Sequence, residues 1–298
     1  MKKLNSIISP VILFILMCSA TVKAVAQSLS PAGMLTMKGH FVTPSVTKKT
    51  YQLYVSLPKS YSVADTLRYP VLYVLDGKFS FPSFSSIREV MDLAKEIKDV
   101  IIVAIGDSSQ SEYDWHVSRY YDCTPSYVGK MDTTWSYILK FPVGSLKSGG
   151  SPAFLSTIQK NIIPFIDMHY KTTKDRGISG HSLGGLFVSY CLLTAPGLFN
   201  RYGINSPALW WNNKEILSME HSFAIQRTGL AANIFISVGS LEGEQMVSPM
   251  NSFANSLKEH NYRGLTLSRQ VFDNETHVSV APASNSRTLR VLYGVNVK

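Results

Sequence analysis

Gly180-His181-Ser182-Leu183-Gly184 sets a serine between two glycines in a G-x-S-x-G arrangement. Where that arrangement joins the end of a strand to the start of a helix, the turn forces the serine backbone into a strained conformation that exposes its hydroxyl. The flanking glycines let strand and helix approach without Cβ clashes. An apolar run ending at Ile178 and helical spacing from Leu183 to Leu193 predict that context here. A serine hydroxyl is a poor nucleophile at neutral pH, so the chemistry needs a histidine to take its proton and a carboxylate to orient the ring. For a nucleophile on such a turn the chain order is serine, acid, histidine. The bland alternative is a glycine-rich turn that only caps a helix.

The tail supplies both partners. Of seven histidines, His277 alone follows Ser182 on a loop directly beyond a predicted strand, Leu265 to Phe272, whereas His221 and His260 fall in helical patterns. The acid should leave the carboxyl end of a strand lying between Ser182 and His277. After the strand near Asn205 no carboxylate comes until Glu215, but Ile234 to Val238 is followed at once by Gly239-Ser240-Leu241-Glu242-Gly243-Glu244. Glu242 is the predicted acid. Glu244 is the rival, with the competing role of opening the next helix and stabilising its dipole, and Asp273 belongs to the histidine's own loop. An oxyanion formed on attack needs backbone N–H donors, expected from Leu183 and from Gly77 or Lys78 after the third strand, with Asp76 fixing that turn.

The elements needed to position these residues can be read from periodicity. Met34 to Val42 and Tyr51 to Leu57 alternate like paired strands, Tyr69 to Leu75 is a third, and Val100 to Ile105 is a β-branched run suited to burial on both faces. Strands are also expected through Ile178, at Tyr202 to Asn205, at Asn233 to Val238 and at Leu265 to Phe272. Helices are expected at Ile87 to Ile97, Phe154 to Tyr170, Leu183 to Leu193, Met246 to His260 and Thr288 to Tyr293. Between 107 and 150 the pattern loses its period, which predicts a loop or lid insertion. The alternation predicts an α/β fold: a mostly parallel twisted sheet, antiparallel at its start, with helices on both faces.

Further segments carry a resemblance. Tyr69 to Gly77, Asp122-Cys123-Thr124-Pro125, Ser148-Gly149-Gly150, Ile163 to Asp167, Gly180 to Gly185 and Ser206-Pro207-Ala208-Leu209-Trp210-Trp211 resemble the putative-esterase branch of the α/β hydrolases. That branch includes siderophore, feruloyl and S-formylglutathione esterases and the mycolyltransferases. The resemblance implies an α/β-hydrolase fold and a serine esterase that needs no cofactor or metal. The Ser-Pro-x-x-Trp-Trp segment is most similar to siderophore trilactone esterases, whose acid follows a G-x-x-E pattern matched by Gly239 to Glu242. The family histidine often follows glycine, whereas Thr276 precedes His277 here.

Composition bounds the rest. Apolar residues make up 45% and charged residues 16% of the 298, enough for a sizeable core. Lys2, Lys3, the apolar run from Ile7 to Val22 and Ala24-Val25-Ala26 predict a signal peptide over residues 1–26 and a secreted or periplasmic single domain over 27–298 with no membrane span. Cleavage removes three lysines and no acid, so the net charge falls from +9 to +6. No basic block or aromatic-basic repeat calls for nucleic acid. Cys123 and Cys191, the cysteines left after cleavage, make no disulfide framework. Trp135 and other aromatics of the insertion, with Trp210 and Trp211 beyond the strand ending at Asn205, are candidates to line a pocket for an aromatic acyl group, or else pack the insertion onto the domain. Arg119 is a candidate for an anionic substrate, or else pairs with Asp114 or Asp122. The substrate is expected to be a small-molecule or glycan-linked ester. A feruloyl or acetyl polysaccharide esterase, an acyltransferase and a catalytically dead binding protein are the competing readings.

Overall fold

The structure is a computed structural model that describes residues 37–44, 49–109 and 111–295. Its strands are β1 Met37–Val42, β2 Tyr51–Ser56, β3 Tyr69–Val74, β4 Ile101–Asp107, β5 Thr172–His181, β6 Arg201–Asn205, β7 Gly229–Gly239 and β8 Arg263–Phe272. They form one eight-stranded sheet in the order β1-β2-β4-β3-β5-β6-β7-β8. β2 pairs antiparallel with β1 and β4, and every other pairing is parallel. This is the expected α/β-hydrolase architecture.

Period-two alternation sends neighbouring residues of the central strands to opposite faces. Val71 and Tyr73 of β3 and Val103 of β4 enter one apolar core, while Leu72, Val74, Ile102 and Ala104 enter the other. The larger core lies under α4 Ser151–Thr157, α5 Ile163–His169, α6 Leu183–Thr194, α7 Trp211–Gln226 and α8 Glu244–Glu259. A π-helical turn, Ile158–Ile162, joins α4 to α5. The smaller core is closed by Phe81 and Phe84 of α1 Gly77–Leu93 and by Leu289, Leu292 and Tyr293 of α9 Val280–Tyr293. Burial on both faces explains why β4 reads as an unbroken apolar run.

Three differences from the sequence reading have physical causes. Residues 107–150 are not irregular throughout: those described include α2 Glu112–Cys123, opened by Ser111 accepting the Asp114 N–H at 3.2 Å, and α3 Gly129–Ile138. In α2 aromatics lie on both the exposed and buried sides, Tyr113 and Tyr121 outside and Tyr120 inside, so no apolar stripe marks it. α1 starts at Gly77 rather than Ile87, its early turns disguised by a Phe/Ser-rich stretch containing Pro82. Cys123, expected in a loop, ends α2, and it and Cys191 are buried free thiols.

The predicted signal peptide, residues 1–26, lies outside the described residues. Among those described, no helix is long and apolar enough to cross a membrane.

Candidate active site

The turn from β5 into α6 carries Ser182 at φ 62°, ψ −120°, a conformation a non-glycine residue holds only when its surroundings impose it. Two backbone bonds impose it: the Ser182 N–H donates to the Asn205 carbonyl at 3.0 Å, and the Ala208 N–H donates to the Ser182 carbonyl at 3.1 Å. Glycine at 180 is a steric requirement, since a Cβ there would lie 2.5 Å from the Gly184 backbone. The hydroxyl is thereby held at the carboxyl edge of the sheet.

His277 reaches that hydroxyl from the loop after β8. Ser182 Oγ and His277 Nε2 are 2.9 Å apart, and His277 Nδ1 lies 2.6 Å from Glu242 Oε2. A carboxylate only accepts, so Nδ1 carries the ring proton and Nε2 is left to accept from the serine. Glu242 sits on the short 3₁₀ turn Ser240–Glu242 directly after β7. Its side chain is fully buried and that of His277 is 40% exposed, so the carboxylate is fixed while the ring still faces solvent. The other carboxylate oxygen accepts from Ser206 Oγ and from the Gly239 N–H, each at 2.6 Å. Burial pushes the Glu242 carboxyl up, but the bonds from His277, Ser206 and Gly239 outweigh it and hold it below the usual range. The acid turn is stitched to the histidine loop, the Leu241 N–H donating to the Glu275 carbonyl at 3.0 Å. A side chain at Gly239 would collide with that same carbonyl.

Glu244 begins α8 and Asp273 accepts the Asn274 N–H at 3.1 Å. Sequence reading missed the role of Ser206, which holds Glu242 from the end of β6 at φ 41°. The only sequence signal was its place in the Ser-Pro segment after that strand.

Leu183 is the first residue of α6, and Gly77 and Lys78 are the first two of α1, so their N–H groups have no acceptor within their helices. The Phe79 and Ser80 N–H groups both turn back to the Asp76 carbonyl at 2.9 Å. Arg119 pairs with neither Asp114 nor Asp122: its guanidinium is bound to Asp76 and to the His181 carbonyl. Trp135 of α3 stacks on Trp210, centroids 5.9 Å apart at 23°, and Trp210 Nε1 donates to Met246 Sδ at 3.1 Å. Trp211 corrects the sequence reading. It is 0% exposed and packs edge-on against Tyr120, so it is part of the core and presents no wall to a substrate.

His181 shares the site. Its ring lies 4.6 Å from that of His277, and its buried Nδ1 has no partner. Burial, then the neighbouring His277, push its pKa down from 6.5 to about 4. Between those two values the unfolded chain binds the proton and the folded chain does not, so stability is full above pH 6.5 and is lost as pH falls through about 4. Urea unfolding at pH 7 and pH 4.5 should show His181→Gln losing roughly 2 kcal/mol less than the wild type over that interval. Equal losses would mean that the ring is not held neutral.

Comparison with known proteins identifies the family and the fold. Residues 45–140 and 140–279 match the family described as Putative esterase. The chain is 31% identical over 252 residues to the ferri-bacillibactin esterase BesA of Bacillus subtilis strain 168, covering 81% of this chain and 84% of that one. The crystal structure of the BES protein from Bacillus cereus superposes with a TM-score of 0.75 at 31% identity, covering 87% of this chain and 95% of that one. The siderophore hydrolase EstA from Aspergillus nidulans, at 22% identity and a TM-score of 0.76 over 88% of this chain and 95% of that one, shares the fold. The chain therefore belongs to the putative-esterase family, serine ester hydrolases built on the α/β-hydrolase fold.

Proposed function

We propose that this protein is a secreted, single-domain esterase that hydrolyses siderophore trilactone esters through Ser182, His277 and Glu242. The observation that carries the reading is the unbroken relay from Ser182 Oγ to His277 Nε2 at 2.9 Å and from Nδ1 to the buried Glu242 at 2.6 Å. As Ser182 Oγ bonds to the ester carbonyl carbon, its proton passes to His277 Nε2, and Glu242 stabilises the resulting imidazolium. The N–H groups of Leu183 and of Gly77 or Lys78 take the oxyanion. Collapse breaks the carbon–oxygen bond to the leaving alcohol, which receives the proton from His277 and leaves an acyl-serine. Water then gives a proton to His277 as it attacks the acyl carbon, the bond from that carbon to Ser182 Oγ breaks, Oγ takes the proton back from His277, and the carboxylic acid leaves.

The siderophore assignment rests on the similarity to the ferri-bacillibactin esterase and on the stacked Trp135–Trp210 pair, a flat surface suited to aromatic acyl groups. It is tested by comparing kcat/KM on ferric trilactone siderophores, methyl ferulate, acetylated xylan and nitrophenyl acetate. The trilactone should rank first, whereas a preference for ferulate or xylan would move the enzyme to polysaccharide esters. On the trilactone, Trp135→Ala should raise KM about three- to tenfold, as expected for one lost aromatic contact, with nitrophenyl acetate changed less than about twofold. Equal changes on both substrates would remove the tryptophan pair from substrate binding.

A further inference from the structure

We propose that Arg119 is a positioning residue that sets the distance between the two halves of the oxyanion hole. The proposal rests on the serine mechanism above and gives Arg119 a role other than meeting an anionic substrate. The donors follow separate strand-to-helix loops, Gly77 and Lys78 opening α1 beyond β3 and Leu183 opening α6 beyond β5. These strands are neighbours, paired as far as Val74 and Ser179, but beyond that pair the parallel ladder no longer fixes the loops. Both loops also leave regular backbone, at Asp76 (φ 55°) and Ser182 (φ 62°), so their mutual placement needs a further constraint.

One guanidinium supplies it. Arg119 Nε donates to Asp76 Oδ1 at 2.6 Å and Nη2 to Asp76 Oδ2 at 2.9 Å, while the same Nη2 donates to the His181 carbonyl at 2.9 Å. Asp76 immediately precedes Gly77, and His181 precedes Ser182-Leu183. The planar fork therefore grips one loop by a carboxylate and the other by a carbonyl at fixed spacing. The Arg119 and Asp76 side chains are each 15% exposed, and Trp115 lies against the guanidinium, 5.4 Å from its ring centroid. Two of the three guanidinium nitrogens are thus already committed, with the charge offset by Asp76. Arg119 itself belongs to α2, which gives that helix a function at the catalytic centre. A lysine cannot replace the fork, because an ammonium is a point donor with no fixed plane.

Donor spacing matters when the oxyanion forms and little when the neutral ester binds, so its loss should fall on kcat rather than KM. Arg119→Lys is expected to lower kcat roughly 30- to 100-fold on both nitrophenyl acetate and the anionic nitrophenyl hemisuccinate, with KM within about threefold. Asp76→Asn, which keeps size but loses the bidentate pair, should lower kcat about tenfold with the same KM pattern. It also provides the test if the lysine variant does not fold. The double variant should be no worse than Arg119→Lys alone. A selective KM rise on the hemisuccinate would make Arg119 a substrate-binding cation. Unchanged kcat with a lowered melting temperature would make it a structural brace, and either result overturns the proposal. Stoichiometric fluorophosphonate labelling of wild-type Ser182 separates a failure here from a failure of the serine mechanism.

Discussion

Ser182→Ala is expected to lower kcat by roughly 10⁴- to 10⁶-fold while the protein keeps its fold and melting temperature. The constraint on the turn is carried by backbone: the bonds from the Ser182 N–H to Asn205 and from the Ala208 N–H to the Ser182 carbonyl survive the change. Gly180 still meets Gly184 at the same close approach. What disappears is the one oxygen placed 2.9 Å from His277 Nε2. His277→Ala should be nearly as severe, because without a base the hydroxyl is an ordinary alcohol. The double variant should be no slower than either single one, since the two groups act as a unit. Steady-state assays of purified Ser182→Ala check this directly, and ester hydrolysis retained above about 1% of wild type would remove Ser182 from the mechanism.

Glu242→Gln is expected to reduce kcat by about a hundredfold or more, and Glu244→Gln by less than about fivefold. Glu242 is buried, accepts from His277 Nδ1 at 2.6 Å and is itself held by Ser206 and Gly239. An amide in its place can turn its NH₂ toward Nδ1 and favour the tautomer that puts the ring proton on Nε2, where the serine's proton must go. It also removes the charge that stabilises the imidazolium. Glu244 lies at the first position of α8, where a carboxylate interacts with the helix dipole for about 0.3 to 1 kcal/mol, so its loss should cost a little stability and little rate. Assaying the two variants side by side decides between them. A crippled Glu244→Gln, or two nearly normal variants, would mean a different acid or a serine-histidine dyad.

The legible features were those whose signals are local. A strand-turn-helix around Ser182 leaves glycines at fixed offsets, β4 leaves a β-branched run, and a loop histidine after β8 differs in pattern from the helical His221 and His260. Glu242 could be placed because strand ends gather at one edge of a parallel sheet, so a carboxylate directly after β7 has to arrive near the serine. The remaining features depend on long-range partners. Neither the clasp of Ser206 on Glu242, 36 residues apart, nor that of Arg119 on Asp76, 43 apart, has a periodic trace. Trp210 and Trp211 are adjacent and chemically identical, yet one stacks on Trp135 while the other is in the core. Adjacent residues of a turn point different ways, and which of the two meets Trp135 is decided by distant packing partners rather than by a local pattern. α2 was hidden because its aromatics face both ways.

The most direct test of the central claim is mass spectrometry of the folded protein after treatment with a fluorophosphonate, from which an activated serine displaces fluoride to form a stable phosphonyl ester. We expect one adduct per chain, located on Ser182, with hydrolysis lost in proportion to labelling. No adduct should form on urea-unfolded protein, where His277 no longer activates the hydroxyl. Folded, active protein that forms no adduct, or that carries it on another residue while Ser182 stays unmodified, would contradict the assignment of Ser182 as the nucleophile.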